Sequence, residues 1–500
     1  MSLDTRYRPE STRLAPIFAT CLITALAACG GGGGDSGSSN EPPGPAPSPI
    51  PVDPPAEEPR NRSTAEIVVE NDDRAADGFV VGNIEDASLA DDGRIAVIAS
   101  ADRGDSRAVL RRDLDGTLHT VFDERTAPAD VDLSTLSRIR MAPTGEFAFQ
   151  SGDGLDSDQL HLALGDEVRT IAGTDGAVAP DFRILGNFRI ARDGVVAFVG
   201  GGGECETDIS GDSVRDLCTM ALFLADGDSV RQILHEDFEL DRRQANDAQI
   251  AMSGDGNVFF SVPGRRTSPV VVGFDGETTN VLLRNNGDVP GFGVLSRVDI
   301  VDLDEEGRLL VELGIQPEDP ADPVLDHVGL LDGDQLTDFA VEGTVEGDRR
   351  LFSLRGIGLG GGRALYEVTL LDETTGEDFA CLRLGDADSL VELVCEGAPF
   401  PGEELEVFSI GGTRINARGD VLFVTTLGTR TASTTLVAET RATVRRADGE
   451  LVTLVSSADN DLLGTITRLT TVAFNDVGQA LIVAERSRSS DRVLLLGGSR

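Results

Sequence analysis

The sequence predicts an all-β fold: a β-propeller of eight four-stranded blades, the last blade closed by the N-terminal strand. Three observations predict it. A short turn ending in Gly and followed by an apolar strand recurs eight times, from Gly93 to Gly478, at a mean spacing of 55 residues. A second Gly-containing turn follows each of these, so every unit reads as two hairpins. The eighth unit stops one strand short, and Ala65 to Glu70 reads as the strand it lacks. Four strands per repeat at this period is the pattern of radially repeated blades, and a ring must dispose of its terminal edges.

Along the chain, residues 1–28 come first. Arg6, Arg8 and Arg13 precede an apolar run from Leu14 to Ala28. The run is shorter than the roughly 20 residues of a relaxed membrane span and reads as a secretory signal peptide. Residues 29–64 follow as a tether: Gly30 to Gly34, a Ser/Gly stretch, then a Pro-rich segment to Pro59. Such composition is flexible where Gly/Ser-rich, extended where Pro-rich, and builds no core. Residues 65–500 carry the repeats.

The clear copies of the first turn end at Gly93, Gly145, Gly194, Gly256, Gly307, Gly419 and Gly478, and a worn copy ends at Gly362. If that worn copy is not a full blade, the ring has seven. The second turns are Asp115-Gly116, Gly165-Asp166, Asp226-Gly227, Asp275-Gly276, Asp332-Gly333, Gly385-Asp386, Asp448-Gly449 and Gly497-Gly498. Gly and Asp suit tight hairpin turns, and the flanking runs are β-formers. In a four-stranded meander the tight turns share one face and the longer connections the other. The first-to-second-turn distance is longest in blade 3 (33 residues) and blade 7 (30). Extra residues therefore gather on one face, in Gly201 to Asp216, Gln316 to Asp326 and Thr425 to Arg441. Insertions on one side of a rigid scaffold are where binding usually sits.

The 500 residues hold 86 Asp+Glu against 43 Lys+Arg, a formal charge of −43, and all 43 basic residues are Arg. No general field draws this chain to nucleic acid. Without Lys there is no Schiff-base or phosphate-loop lysine. His119, His161, His235 and His327 fall in different units without triad or ligand spacing and read as surface or edge residues. Two carboxylates at the axis remain an open route to glycan chemistry.

Of the six Cys, Cys29 is reserved for the leader's end. Cys205 and Cys218 fall within one unit and Cys381 and Cys395 within another. Locality favours the disulfides Cys205-Cys218 and Cys381-Cys395 in an oxidising compartment. The blade-3 insertion carries Glu204, Glu206, Asp208, Asp212 and Asp216, a candidate cation or ligand loop for Ca²⁺. Its spacing is not that of an EF-hand, and in so acidic a chain a solvated loop is the plainer reading. No cofactor is otherwise implied.

Leu26-Ala27-Ala28-Cys29 resembles the lipobox of bacterial lipoproteins, in which the Cys thiol is lipidated. Gly30 after it implies outer-membrane retention, so the resemblance implies an envelope protein facing the periplasm or the cell surface. Asn286-Gly287-Asp288-Val289-Pro290-Gly291 and Ile415-Asn416-Ala417-Arg418-Gly419 resemble the repeat units of a group of secreted bacterial proteins, of Ile-Asn-x-x-Gly-x-Val-Ala-Phe type. That group implies a propeller-like fold and no settled activity. The reading is a lipid-anchored binding or scaffolding module, with the membrane and a protein or glycan as partners. The alternatives are a glycan-active propeller enzyme, using axial carboxylates or a bound cation, and a structural surface protein.

Overall fold

The structure is a computed structural model. It describes residues 65–498 except 102–105, 128–132, 153–158, 174–181, 203–205, 211–212, 227–228, 242–248, 254–255, 263–269, 285–286, 290, 318, 320, 334, 387–388, 431–434, 459–465 and 487–491. The chain divides into Met1–Glu58 and Pro59–Arg500, and all described residues lie in the second unit.

Eight antiparallel sheets follow one another in chain order. Their inner strands are Val81–Leu89, Ser137–Met141, Phe182–Ile190, Gln249–Met252, Gly293–Leu303, Arg349–Gly360, Glu406–Ile415 and Ile466–Phe474. Each inner strand touches the next, and Ile466–Phe474 touches Val81–Leu89, which closes the ring. The fold is an eight-bladed β-propeller, and the worn sixth copy is a full blade.

Blade 8 takes its outer strand from the other end of the sequence. Glu66–Glu70 pairs antiparallel with Arg492–Gly498, Glu66 opposite Leu496 and Glu70 opposite Val493. Val69 is fully buried there. The chain's first described strand thus covers what would otherwise be an open edge.

Packing between blades holds the ring together. Among the described residues, eight apolar clusters occupy the eight seams, one per neighbouring pair. Phe147 and Phe149 fill the seam of blades 1 and 2, and Phe260 that of blades 3 and 4. With no Trp in the chain, Phe carries the large-volume packing. Fully burying such a side chain contributes roughly 1.5–3 kcal/mol.

The first turns are nearly identical. In blade 1, Ala90 N–H donates to Arg94 O at 3.0 Å and Gly93 N–H to Ala90 O at 3.1 Å. The same pair of bonds recurs at Ala142, Ser253, Asp304, Asn416 and Asn475. The eight closing glycines have φ between +74° and +96°, the left-handed region that other residues enter at a cost. The blade-6 copy departs for a steric reason. A Cβ at Gly360 would lie 1.8 Å from the Asn416 carbonyl oxygen, so the neighbouring turn leaves room only for Gly.

The insertions prove to be strand extensions in part. In blade 3, Glu206–Ser210 pairs with Ser213–Asp226 as an added hairpin. In blade 7 the strands Val421–Arg430 and Thr435–Arg445 run on together, pairing as far as Arg430 with Thr435. Short hairpins also lead into the inner strands of blades 5 and 6, through Asp288–Val289 and Val345–Glu346. Asp288 and Val289 belong to the 286–291 segment, whose Asn286 and Pro290 lie outside the described residues.

Candidate functional site: the axial channel

One position recurs on the inner strand of each unit, close to the turn. It lies five residues before the turn glycine, or four in the shortened blade 6. The eight occupants are Ser88, Arg140, Arg189, Ala251, Asp302, Gly358, Arg414 and Ala473. Its orientation is set by the backbone. In every blade except blade 4, the inner strand shifts register at or shortly before this residue, for example between Ser137 and Ile139, Leu185 and Phe188, and Gly411 and Arg414. A bulge of this kind bends the strand and re-aims side chains.

Short occupants tie one blade to the next. Ser88 Oγ accepts the Met141 N–H at 3.0 Å, and Asp302 Oδ2 accepts the Leu359 N–H at 2.8 Å. A Cβ at Gly358 would sit 3.0 Å from that same Asp302 oxygen, so the glycine makes room for the carboxylate.

The three arginines share one posture. Arg140 Nη1 donates to Ile139 O at 2.7 Å, Arg189 Nη1 to Phe188 O at 3.2 Å and Arg414 Nη1 to Thr413 O at 2.8 Å. Each guanidinium folds back on the carbonyl of the preceding residue and keeps its remaining donors. Their charges meet across the ring. Burial, followed by the charge of Arg140, lowers the pKa of both Arg189 and Arg414. Arg140 stands on the inner strand of blade 2, Arg189 on that of blade 3 and Arg414 on that of blade 7, and the inner strands of a propeller line its central channel.

Counter-charges are sparse there. Arg140 has Asp86 at 3.8 Å. Arg189 feels Asp302. Arg414 has no carboxylate within ion-pair distance among the described residues, and its next charged neighbours are Arg140 and Arg355. Arg355 is itself engaged with Glu367 at 3.0 Å. In a chain with twice as many acids as bases, this is a local inversion of charge. Asp302 is the one carboxylate at this level. Burial deep within the ring pushes its pKa up to about 6, against the N–H groups of Leu359 and Leu303 and the charge of Arg189.

A pair of converging carboxylates, the requirement for glycoside cleavage, is not what these eight positions present. The sequence reasoning looked for acids at the axis and missed the arginines. Aligning the units on their turn glycines and reading five residues back would have found them.

The other sequence-derived candidates fall elsewhere. Cys381 and Cys395 form a disulfide, S–S 2.02 Å, directly opposite each other on Asp378–Gly385 and Leu390–Cys395. Glu392 lies close to both sulfurs, but bonded sulfurs are not thiolate ligands for a metal. Cys29, Cys205, Glu204 and Asp212 lie outside the described residues, and with them the lipidation site and the Cys205-Cys218 pairing. Of the remaining loop acids, Glu206 and Asp208 fall on one strand of the blade-3 hairpin and Asp216 on the other, opposite Thr207. They are strand residues rather than loop residues.

Two histidines read as surface residues are core residues. His161 is fully buried, stacked 4.8 Å from the Phe149 ring, with Phe122 at 5.0 Å. Burial drives its pKa down to about 3. Its Nε2 lies 2.7 Å from Ser151 Oγ and its Nδ1 3.1 Å from Thr170 Oγ1. A hydroxyl stands where a catalytic triad has its carboxylate, and Ser151 is only 1% exposed, so this Ser–His pair is packing. His327 is also buried, its Nδ1 2.9 Å from Asp338 Oδ2.

No protein-family model matches the chain, and no curated protein matches it. Among solved structures it is similar to the β-propeller domain of the trilobed protease from Pyrococcus furiosus, at 13% identity over 75% of this chain and 96% of that one, TM-score 0.39. It is similar to the WD40 domain of SCAP from fission yeast, at 11% identity over 87% and 94%, TM-score 0.41. It is also similar to dipeptidyl peptidase 4 of Porphyromonas gingivalis, at 12% identity over 84% and 65%, TM-score 0.44. The chain spans 58% of the length of the acylaminoacyl peptidase from Pyrococcus horikoshii. The strand pairing within the ring, rather than any of these likenesses, carries the fold.

Proposed function

We propose that this protein is an envelope-tethered binding module, held at the outer membrane through Cys29, whose propeller receives an anionic ligand in the axial channel. One observation carries the reading. Arg140, Arg189 and Arg414 hold the same inner-strand position in three blades, each guanidinium folded on the preceding carbonyl, and Arg414 has no carboxylate partner among the described residues. Desolvated like charges repel, and an anion with charge-assisted hydrogen bonds relieves that cost. The lipobox and the long tether support placement at a membrane surface. The glycan-cleaving and purely structural alternatives have no comparable observation behind them.

The test is thermal stabilisation by simple anions. Acetate and sulfate should raise the melting temperature saturably, at constant ionic strength, by mass action on the folded state. An Arg189→Gln/Arg414→Gln double variant should lose the saturable part. Identical anion responses in the two proteins would overturn the channel as the binding site.

A further inference from the structure

The axial site carries a chemical specification of its own, and this inference rests on the anion-binding reading above. We propose that the channel ligand is a hydroxycarboxylate, a sugar acid such as a uronic acid, with its carboxylate on the arginines and a hydroxyl on Asp302.

The charge balance argues for one negative charge. Arg140 has Asp86 at 3.8 Å, Arg189 feels the opposing charge of Asp302, and Arg355 is engaged with Glu367. Arg414 is left as the single uncompensated cation among these groups. A monoanion neutralises it, whereas a dianionic phosphate or sulfate, though still drawn to the arginines, binds less tightly because the Asp302 carboxylate opposes its second charge. A planar carboxylate also matches the guanidinium fork.

Asp302 supplies the second half of the specification. The backbone N–H groups of Leu359, 2.8 Å from Oδ2, and of Leu303 engage it, and no side chain donates to this carboxylate among the described residues. It therefore has acceptor capacity left at the edge of the channel. An acceptor beside an anion site selects a ligand that carries a donor next to its anionic group. A bare carboxylate leaves the acceptor unmatched, and a site built to bond a hydroxyl discriminates strongly against ligands without one.

The preference also depends on pH. The charged groups that act on Asp302 are Arg189 and Asp304. The adjoining inner strand of blade 6 presents the Leu359 N–H and Gly358, and that of blade 4 presents Ala251 at the same level. As Asp302 takes up a proton its acceptor capacity falls and its repulsion of anions disappears. The advantage of a hydroxylated carboxylate over a bare one should therefore shrink between pH 7 and pH 5.

The experiment is calorimetric titration of the intact protein with D-galacturonate, D-galactose and acetate, at pH 7 and pH 5. Galacturonate should bind saturably and about 10-fold or more tighter than acetate at pH 7, and galactose should not bind. Asp302→Asn should close the gap between galacturonate and acetate and remove its pH dependence. Arg414→Gln should abolish both, with Arg189→Gln as a second variant should Arg414→Gln fail to fold. A galacturonate trimer that binds at least as tightly as the monomer assigns the source to an acidic polysaccharide; a weaker trimer assigns it to the free sugar acid. Equal binding of galacturonate and acetate, both lost in Arg414→Gln, overturns the hydroxycarboxylate while sparing the anion site. Absence of saturable galacturonate binding overturns the proposal outright, and the acetate and sulfate stabilisation then decides separately on the anion site.

Discussion

Asp476 donates its backbone N–H to Asp91 Oδ1 at 3.1 Å, a bond between residues 385 positions apart that joins the last tight turn of the ring to the first. It is one link in a chain of turns. Asp91 N–H donates to Pro143 O at 3.1 Å, Ala417 N–H to Asp476 Oδ1 at 2.8 Å, and Gly361 N–H to Ala417 O at 2.8 Å. In these four links, from blade 6 round to blade 2, a turn leans on the turn of the following blade. The Asp91 pKa is raised, first by burial and then by the nearby Asp476 charge, although the Asp476 N–H opposes the shift.

Asn475 is the anchor of this closing contact. Its Nδ2 donates to Ala90 O at 2.8 Å and its Oδ1 accepts the Gln479 N–H at 2.7 Å. Asn475→Ala leaves buried polar groups unpaired and should cost about 2–3 kcal/mol. Urea unfolding measures it against Asp448→Ala, in an exposed second turn, which should cost less than about 1 kcal/mol.

The N-terminal strand should matter to the whole ring. Deleting residues 65–71 uncovers Arg492–Gly498 and removes Val69 from the seam of blades 8 and 1. The melting temperature should fall by several degrees at least, with earlier proteolysis in blade 8. An unchanged melting profile would show that the ring does not need this closure.

His161 predicts an acid-side loss of stability. Its pKa is near 3 in the fold and about 6.5 when exposed. Between those values the unfolded chain binds a proton that the folded chain refuses. Stability therefore falls as pH drops below about 6.5, at up to roughly 1.4 kcal/mol per pH unit from this group. Relative to His161→Gln, the wild-type protein should lose stability more steeply from pH 6.5 to pH 4 in denaturant titrations.

The Cys381–Cys395 bond closes a short loop within blade 6, at a sequence separation of 14. A loop of this size contributes about 3 kcal/mol in the chain-entropy account. The Cys381→Ala/Cys395→Ala pair should lower the urea midpoint, and adding reductant should lower the midpoint of the wild-type protein by more than that of the variant.

Cys29→Ala should move the protein from the membrane fraction to the soluble envelope fraction. Multi-chain acyl anchoring holds at roughly 0.8 kcal/mol per buried methylene, and the substitution removes all of it. Persistence in the membrane fraction after a high-salt wash would sink the anchor.

The ring was legible because its punctuation is covalent and local. Gly93, Gly145 and their counterparts need positive φ whatever surrounds them, so they recur at a readable spacing. The closing strand was legible because Glu66–Glu70 repeats the pattern of an outer strand. The channel was not. Arg140, Arg189 and Arg414 are ordinary strand residues until the ring brings their blades round one axis, and only their shared distance from the turn glycines marks them in the sequence. His161 misled for a related reason. A lone His on a strand carries no sign of burial, and the Phe149 and Phe122 rings that enclose it come from other strands. The blade-3 acids mislead because an insertion without an apolar pattern reads as a loop, while Glu206–Ser210 pairs as a strand through its backbone.

The pairing of Glu66–Glu70 with Arg492–Gly498 has a consequence for biogenesis. The first strand is synthesised more than 420 residues before its partner. At ordinary elongation rates that is an interval on the order of 20–80 s. Throughout it the strand has no hydrogen-bonding neighbour of its own, and the seam that will hold Val69 does not yet exist. Blades 1 to 7 can assemble as they emerge, since each packs on the one before. Completion cannot begin until Arg492–Gly498 arrives, so the first described strand to be made is the last to be seated, and a chain cut short before blade 8 leaves it without a place to go.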